Sequence, residues 1–368
     1  GADLPDKALY DLIVAAKMKE VLAFNLPLRY RLASVDGYDG GLLPLQSYVT
    51  LERLFLSEDE IWPDGRLRQQ LRRVPPTRLL SLLNVKYVMT DKTQDVWIDG
   101  VFYDLEHTLP LGHVTLEPLP GLETTSLGIV SYLSGTVDLP DGAPVALVQI
   151  TATDGAVLTA TLRAGEDTAE GLYEAGFVAH RQARVGHLGR DNGQGSDYLA
   201  ILDLGRAVWP REIEIHSLLP GQHLYLRGLS LINKQSGASR TVTVDPAYRL
   251  VHSGDVKIYE NLKVLPRAFV VHHARVAPDS EWALSWLRQP SFDPAREVVL
   301  AEGTATANAD GNATVKILSY APEEVRLHAS LDAGGYLVLT DAHYPGWTAE
   351  VDGQPAPILR ANLHFRAV

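Results

Sequence analysis

From about residue 113 to about residue 240 the chain repeats one pattern: a short run in which Val, Ile, Leu and Thr alternate with polar residues, then a turn. The runs are Val145 to Thr151, Val157 to Leu162, Tyr198 to Leu204, Glu212 to Ser217 and Leu224 to Ile232. Between them stand Pro140-Asp141-Gly142, Asp154-Gly155, Gly193-Gln194-Gly195 and Pro220-Gly221. Successive side chains on a strand point to opposite faces, so each run offers one apolar face. Short, evenly spaced strands of this kind pair their apolar faces as a β-sandwich or jelly roll. Ser236-Gly237-Ala238-Ser239 reads as the linker that closes the domain.

The flanks have a different texture. Helical spacing runs through Pro5 to Ala23, Tyr48 to Leu56, Asp64 to Arg73 (stopped by Pro75-Pro76) and Thr77 to Leu83. Val85 to Met89 has strand character. After the sandwich come strands at Val256 to Asn261, Ala313 to Ser319, Glu324 to Ser330, Tyr336 to Thr340 and Trp347 to Val351. A helix at Ser280 to Gln289, capped by Asp279 or Ser280, interrupts them. Asp352-Gly353 is a two-residue hairpin signal. The expected fold is α+β and mostly β. A sandwich at 113–240 is inserted into a discontinuous mixed α/β domain, 1–112 with 241–368, that ends in an antiparallel sheet. A length of 368 residues suits two domains, and 46% hydrophobic residues support a core in each.

Composition excludes several functions. The formal net charge of -12 opposes a phosphate backbone, so nucleic acid is not the expected partner, and it opposes anionic lipid equally. The chain has no cysteine, which removes disulfides, thiolate nucleophiles and Cys-ligated zinc, and leaves the compartment open. The most apolar stretch, Leu79 to Met89, is broken by Asn84 and Lys86 and is too short to span a membrane. The start, Ala2-Asp3-Leu4-Pro5, has no basic region of a signal peptide, and Gly1 reads as a tag remnant.

Five motifs occur in order: Val35-Asp36-Gly37-Tyr38-Asp39; Leu82-Leu83-Asn84-Val85-Lys86-Tyr87-Val88; Ile258-Tyr259-Glu260-Asn261; Leu265-Pro266-Arg267-Ala268-Phe269; and Tyr344-Pro345-Gly346-Trp347 with Val351-Asp352-Gly353. Together they resemble the extracytoplasmic C-terminal region of bacterial polytopic membrane proteins of the YfhO type, which look like GT-C glycosyltransferases. The resemblance covers the first ~110 and last ~125 residues as separated motifs. It departs from the family pattern twice. About 130 residues of expected sandwich intervene where the family has a few tens. The chain also stops at Phe365-Arg366-Ala367-Val368, before the family's closing strands, which suggests a piece of a longer protein. The resemblance implies a domain on the extracytoplasmic face of the cell membrane, working beside its own membrane-helix region. It also implies that the catalytic acid lies on a loop between early membrane helices, outside this chain, so the fragment is non-catalytic and needs no cofactor.

The candidate binding residues are few. Tyr344 and Trp347 are a possible stacking pair for a sugar, or a structural aromatic corner. Arg267 has the chemistry for a phosphate of a lipid-linked sugar, or for a structural ion pair. Arg190, Asp191 and Asn192, in the Gly-rich segment Arg184 to Ser196, are candidates for sugar hydroxyls, against a mobile connection. The 12 histidines show no metal-binding spacing, and His272 and His273 point to opposite faces of a strand, so no metal is expected. Asn308-Ala309-Asp310-Gly311-Asn312 opens like a calcium loop, but its twelfth position is Ser319 in place of Glu. Asn312-Ala313-Thr314 is a formal glycosylation sequon, and Ser57-Glu58-Asp59-Glu60 lacks an Asp-x-Asp pair. No hydrolase elbow, nucleotide loop or dinucleotide fingerprint is present. Three readings remain: an accessory domain whose sandwich recognises carbohydrate or a lipid-linked sugar, a glycosidase or lyase built on the sandwich, and a structural spacer.

Overall fold

The structure, a computed structural model, describes residues 6–20, 22–23, 26–36, 43–189, 194–307 and 311–368. The fold is α+β and mostly β. The chain forms two compact units, Gly1–Val88 with Asn261–Val368, and Met89–Glu260. These boundaries lie outside those expected at 113 and 240, because the middle unit takes in strands on both sides of the alternating runs. The expected linker at Ser236–Ser239 is a turn instead: Asn233 Oδ1 accepts from the backbone N–H groups of Gln235 and Ser236, and the chain returns as a paired strand.

The chain enters the middle unit on β1 (Tyr87–Thr90), followed by a small hairpin, β2 (Val96–Ile98) and β3 (Val101–Tyr103). Asp99 and Gly100 both have positive φ, as a two-residue hairpin turn requires. Then come β4 (Leu109–Pro110), β5 (His113–Leu116), β6 (Thr124–Leu133), β7 (Pro144–Ala152), β8 (Val157–Arg163), β9 (Val185–Leu188), β10 (Ser196–Val208), β11 (Pro210–Ser217), β12 (Leu224–Ile232) and β13 (Ser239–Val242). β14 (Tyr248–Ser253) and β15 (Lys257–Asn261) close the insertion.

Two antiparallel sheets make the sandwich. One has the order β13-β12-β6-β10-β9, with β4 on β12; the other has the order β5-β11-β7-β8. Alternation supplies the core. Leu127 and Ile129 of β6, Ala200 and Leu202 of β10, and Leu229 and Leu231 of β12 meet Val148 and Ile150 of β7, Ile213 and Ile215 of β11, and Val114 and Leu116 of β5. The outer side of the larger sheet is covered in part by the β2–β3 hairpin. Tyr103 and Leu105 pack with Val130 and Leu199 there. Gly128 makes room for this, since a β-carbon at its position would stand 2.1 Å from the Tyr103 hydroxyl. The segment expected as a mobile connection is partly strand: β9 pairs with β10 through His187↔Asp197 and Ser196↔Leu188.

The other unit starts with helices Asp6–Glu20, Leu26–Arg29, Gln46–Glu52, Leu67–Gln70 and Thr77–Leu82. The helix expected over Asp64 to Arg73 is cut to one turn; Asp64 instead caps a turn by accepting from Arg66 N–H, and Leu71 is already extended. The chain returns with β16 (Ala268–Val271), β17 (His273–Val276), helix Ser280–Arg288, β18 (Glu297–Leu300), β19 (Thr306–Ala307), β20 (Ala313–Tyr320), β21 (Val325–Leu331), β22 (Tyr336–Leu339), β23 (Ala349–Val351), β24 (Gln354–Ala356), β25 (Leu359–Ala361) and β26 (Phe365–Ala367). Seven of these form one sheet, ordered β16-β22-β26-β25-β18-β17-β19. It is antiparallel except for β17 and β18, which are parallel and joined by the helix Ser280–Arg288. Asp279 caps that helix, its carboxylate accepting from Trp282 N–H at 2.8 Å. Tyr48, Leu51, Leu284 and Leu287 of the helices pack on Val298, Leu300, Val338 and Phe365 of the sheet. Asp352 and Gly353, both at positive φ, turn the β23–β24 hairpin that the sequence predicts.

Candidate functional site

The outer face of the four-stranded sheet is built by strand alternation alone. On β11, Ile213 and Ile215 point into the core, so Glu212, Glu214 and His216 point out. On β5, Val114 and Leu116 point in and His113 and Thr115 out. Register aligns these side chains across the sheet. One row runs Thr159, Gln149, Glu214, Thr115; the next runs Thr161, Leu147, His216, His113. Apart from Leu147, both rows are polar, and every member is exposed or half-buried. Gln149 Nε2 donates to Glu214 Oε2 at 3.0 Å, which fixes the carboxylate. Its other oxygen lies 3.8 Å from His113 Nε2. The His113 and His216 rings stack at 4.1 Å. A nitrogen of each ring and a Glu214 oxygen lie within 4.8 Å of one another.

The middle unit also encloses a cluster of acids. Lys257 Nζ, fully buried, donates to Asp95 Oδ1 at 2.6 Å and Asp104 Oδ1 at 2.9 Å, with Glu106 Oε2 at 3.7 Å. The Tyr259 hydroxyl donates to Asp104 Oδ2 at 2.5 Å. Burial pushes Asp95 up to about 6 despite the ammonium beside it. Burial would lower Lys257, but Asp104 and Asp95 outweigh it and hold the amine above its ordinary value. Tyr259 is raised, by burial first and Asp104 next. Every one of these side chains is closed to solvent. The cluster is an internal ion network that no substrate reaches. Arg227 and Asp197 form a second buried pair, with His187 Nδ1 3.4 Å from the same Asp197 oxygen.

In the outer unit a cleft of about 610 Å³ is lined by His273, Arg275, Trp282, Asp293, Arg296 and Glu297. Arg275 lies over the Trp286 ring at 3.9 Å and bonds Glu297 through Nε at 3.0 Å. Trp282 stacks on Trp286. The polar wall is thus largely engaged within the fold.

The residues singled out in the sequence do not converge. Tyr344 is exposed, whereas Trp347 is half-buried with the Arg366 guanidinium 4.0 Å over its ring. Arg267 donates to Asp341 at 2.5 Å and to the Tyr320 hydroxyl at 2.8 Å, so its charge is held in a structural pair. Arg190, Asp191 and Asn192 lie outside the described residues, as do Asn308, Ala309 and Asp310 of the calcium-like stretch and Gly37, Tyr38 and Asp39 of the first motif. His180 is spent on Glu170 N–H and Leu139 O, and His272 on the carbonyls of Gly334 and Gly311. The grouping of His113 with His216 and Glu214 was missed because the residues sit on strands about 100 residues apart. The alternation Glu212-x-Glu214-x-His216 was the available signal. No protein family, curated protein or solved structure matches this chain.

Proposed function

We propose that this chain is a non-catalytic, extracytoplasmic region of a glycosyltransferase-like membrane protein of the cell envelope, and that its inserted sandwich recognises carbohydrate. The observation that carries the recognition step is the outer face of the four-stranded sheet. Four strands at about 4.8 Å spacing present a polar row about 14 Å long, the scale of a short oligosaccharide. Its groups suit sugar hydroxyls. Glu214 accepts, Gln149 both donates and accepts, and Thr115, Thr159 and Thr161 do either. The two imidazole faces add flat surface for ring C–H groups. The five ordered motifs support the membrane and glycosyltransferase setting. Against an enzyme on the sandwich stands the enclosure of Asp95, Asp104 and Glu106, a carboxylate cluster of the middle unit whose side chains are closed to solvent.

A glycan array probed with the whole chain tests this reading. Saturable binding to one related set of glycans is the expected result. Absence of binding to every glycan would overturn it in favour of a spacer.

A further inference from the structure

We infer that His113, His216 and Glu214 form a site for a divalent transition metal, zinc above all, on the outer face of the four-stranded sheet. The donor set is two imidazoles and one carboxylate, which is the composition of zinc sites with three protein ligands and an open fourth position. The three donor atoms already lie within 4.8 Å of one another. With metal–ligand bonds of 2.0–2.2 Å, tetrahedral donors stand about 3.3 Å apart. The site therefore needs one imidazole to turn out of the stack, because two nearly parallel rings cannot both hold one metal in their planes. His113, at the surface with half its side chain exposed, is free to make that turn.

The backbone sets the geometry. His113 and His216 are direct cross-strand partners, and Glu214 stands two residues from His216 on the same face. His113 opens the edge strand β5, whose pairing with β11 sets its Cβ opposite that of His216 before any metal arrives. Gln149, one strand further on, holds Glu214 by its outer oxygen at 3.0 Å and leaves the other turned toward His113. That is the supporting role that orients a metal-ligating carboxylate. Two imidazoles beside one carboxylate suit zinc, copper and nickel, whereas calcium and magnesium take oxygen ligands alone. The fourth position faces solvent and takes water or a ligand oxygen.

The test is calorimetric titration of the whole chain, stripped with EDTA, with zinc chloride, in the absence of any glycan. Cobalt(II) absorption reports the coordination geometry in parallel. One equivalent of zinc and a tetrahedral cobalt spectrum are expected. His216→Ala and Glu214→Gln each abolish both signals, and Gln149→Leu weakens zinc binding by about 10- to 100-fold. Zinc also raises the melting temperature of the wild type and not of His216→Ala, whose own cooperative melting transition shows that the variant still folds. Failure to bind zinc stoichiometrically, or binding undiminished in a His113→Ala/His216→Ala variant, would overturn the site. The carbohydrate reading fails separately: it rests on glycan binding, measured with and without EDTA.

Discussion

The imidazoles of His113 and His216 lie face to face across β5 and β11, with planes 11° from parallel. Their strand neighbours Val114 and Ile215 are core residues, so the two rings stand on the solvent side of well-buried strands. A cross-strand pair in that position contributes about 0.2–1 kcal/mol. His216→Ala is expected to lower the unfolding free energy by less than about 1 kcal/mol, measured by urea denaturation. A loss of about 3 kcal/mol or more would assign the pair to the scaffold and contradict a ligand-facing role.

Among the described residues, Lys257 is the cation that bonds both Asp95 and Asp104, and all three side chains are closed to solvent. Removing one partner of a buried ion pair leaves the other charge uncompensated, at a cost of about 3–5 kcal/mol. Lys257→Met is expected to destabilise the middle unit by that amount at pH 8. The deficit should shrink as the pH falls below about 6, where the raised Asp95 carboxyl takes up a proton. A deficit that stays constant with pH would locate the cost in packing and not in charge.

Tyr103 and Gly128 form a lock between the β2–β3 hairpin and the sheet beneath it. A methyl group at residue 128 would collide with the Tyr103 ring and hydroxyl, so Gly128→Ala should destabilise by about 1–3 kcal/mol. The hydroxyl itself is buried and has no hydrogen-bond partner among the described residues. Tyr103→Phe is therefore expected to be neutral or stabilising, because it removes a desolvated polar group. Thermal unfolding of both variants checks this, and a large loss in Tyr103→Phe would mean that the hydroxyl is satisfied in solution.

These features show where the sequence was legible. The strand β12 spans the residues that alternation marks, and of the two caps read for the helix, Asp279 or Ser280, it is Asp279 that caps it, because these features depend on neighbours in the chain. The same holds for the Asp352-Gly353 turn, where the backbone requirement is local. The domain boundary was not legible, since Ser236–Ser239 is polar and small for a tight turn as much as for a linker. The hairpin over Gly128 was missed for another reason. Val96 to Tyr103 is too short to show a period, and its role is set by a sheet formed from residues far along the chain. The face that carries His113, Glu214 and His216 follows from register, which no single strand contains. In the outer unit, Arg267 found Asp341 across 74 residues by tertiary folding.

Two buried groups in the outer unit oppose each other in pH dependence. Burial, with Asp64 and Asp36 nearby, pushes Glu52 up to about 7 from 4.5. The folded state then holds a proton that the unfolded chain releases, so its contribution is full below pH 4.5 and falls as pH rises to 7. Burial lowers His364 to about 4 from 6.5, with a small push from His343. Its contribution is full above pH 6.5 and falls as pH drops to 4. At about 1.4 kcal/mol for each pH unit, the two changes are roughly 3 kcal/mol each and nearly cancel. Glu52→Gln should expose a loss of stability on acidification from pH 6.5 to 4. His364→Asn should expose a loss on raising the pH from 4.5 to 7. Urea midpoints across pH 4 to 8 measure both, and parallel curves for the two variants would refute the assignment.

The most direct measurement of the central claim is a calorimetric titration of the strongest glycan from the array against wild type and Thr159→Arg. Thr159 is exposed and stands at the β8 end of the row, in register with Gln149 and away from the buried core. An arginine there obstructs the face without touching the core. Recognition by this face predicts that Thr159→Arg loses at least about tenfold in affinity while its urea midpoint stays at the wild-type value. Unchanged affinity in a folded Thr159→Arg protein would contradict it and move the binding site off the four-stranded sheet.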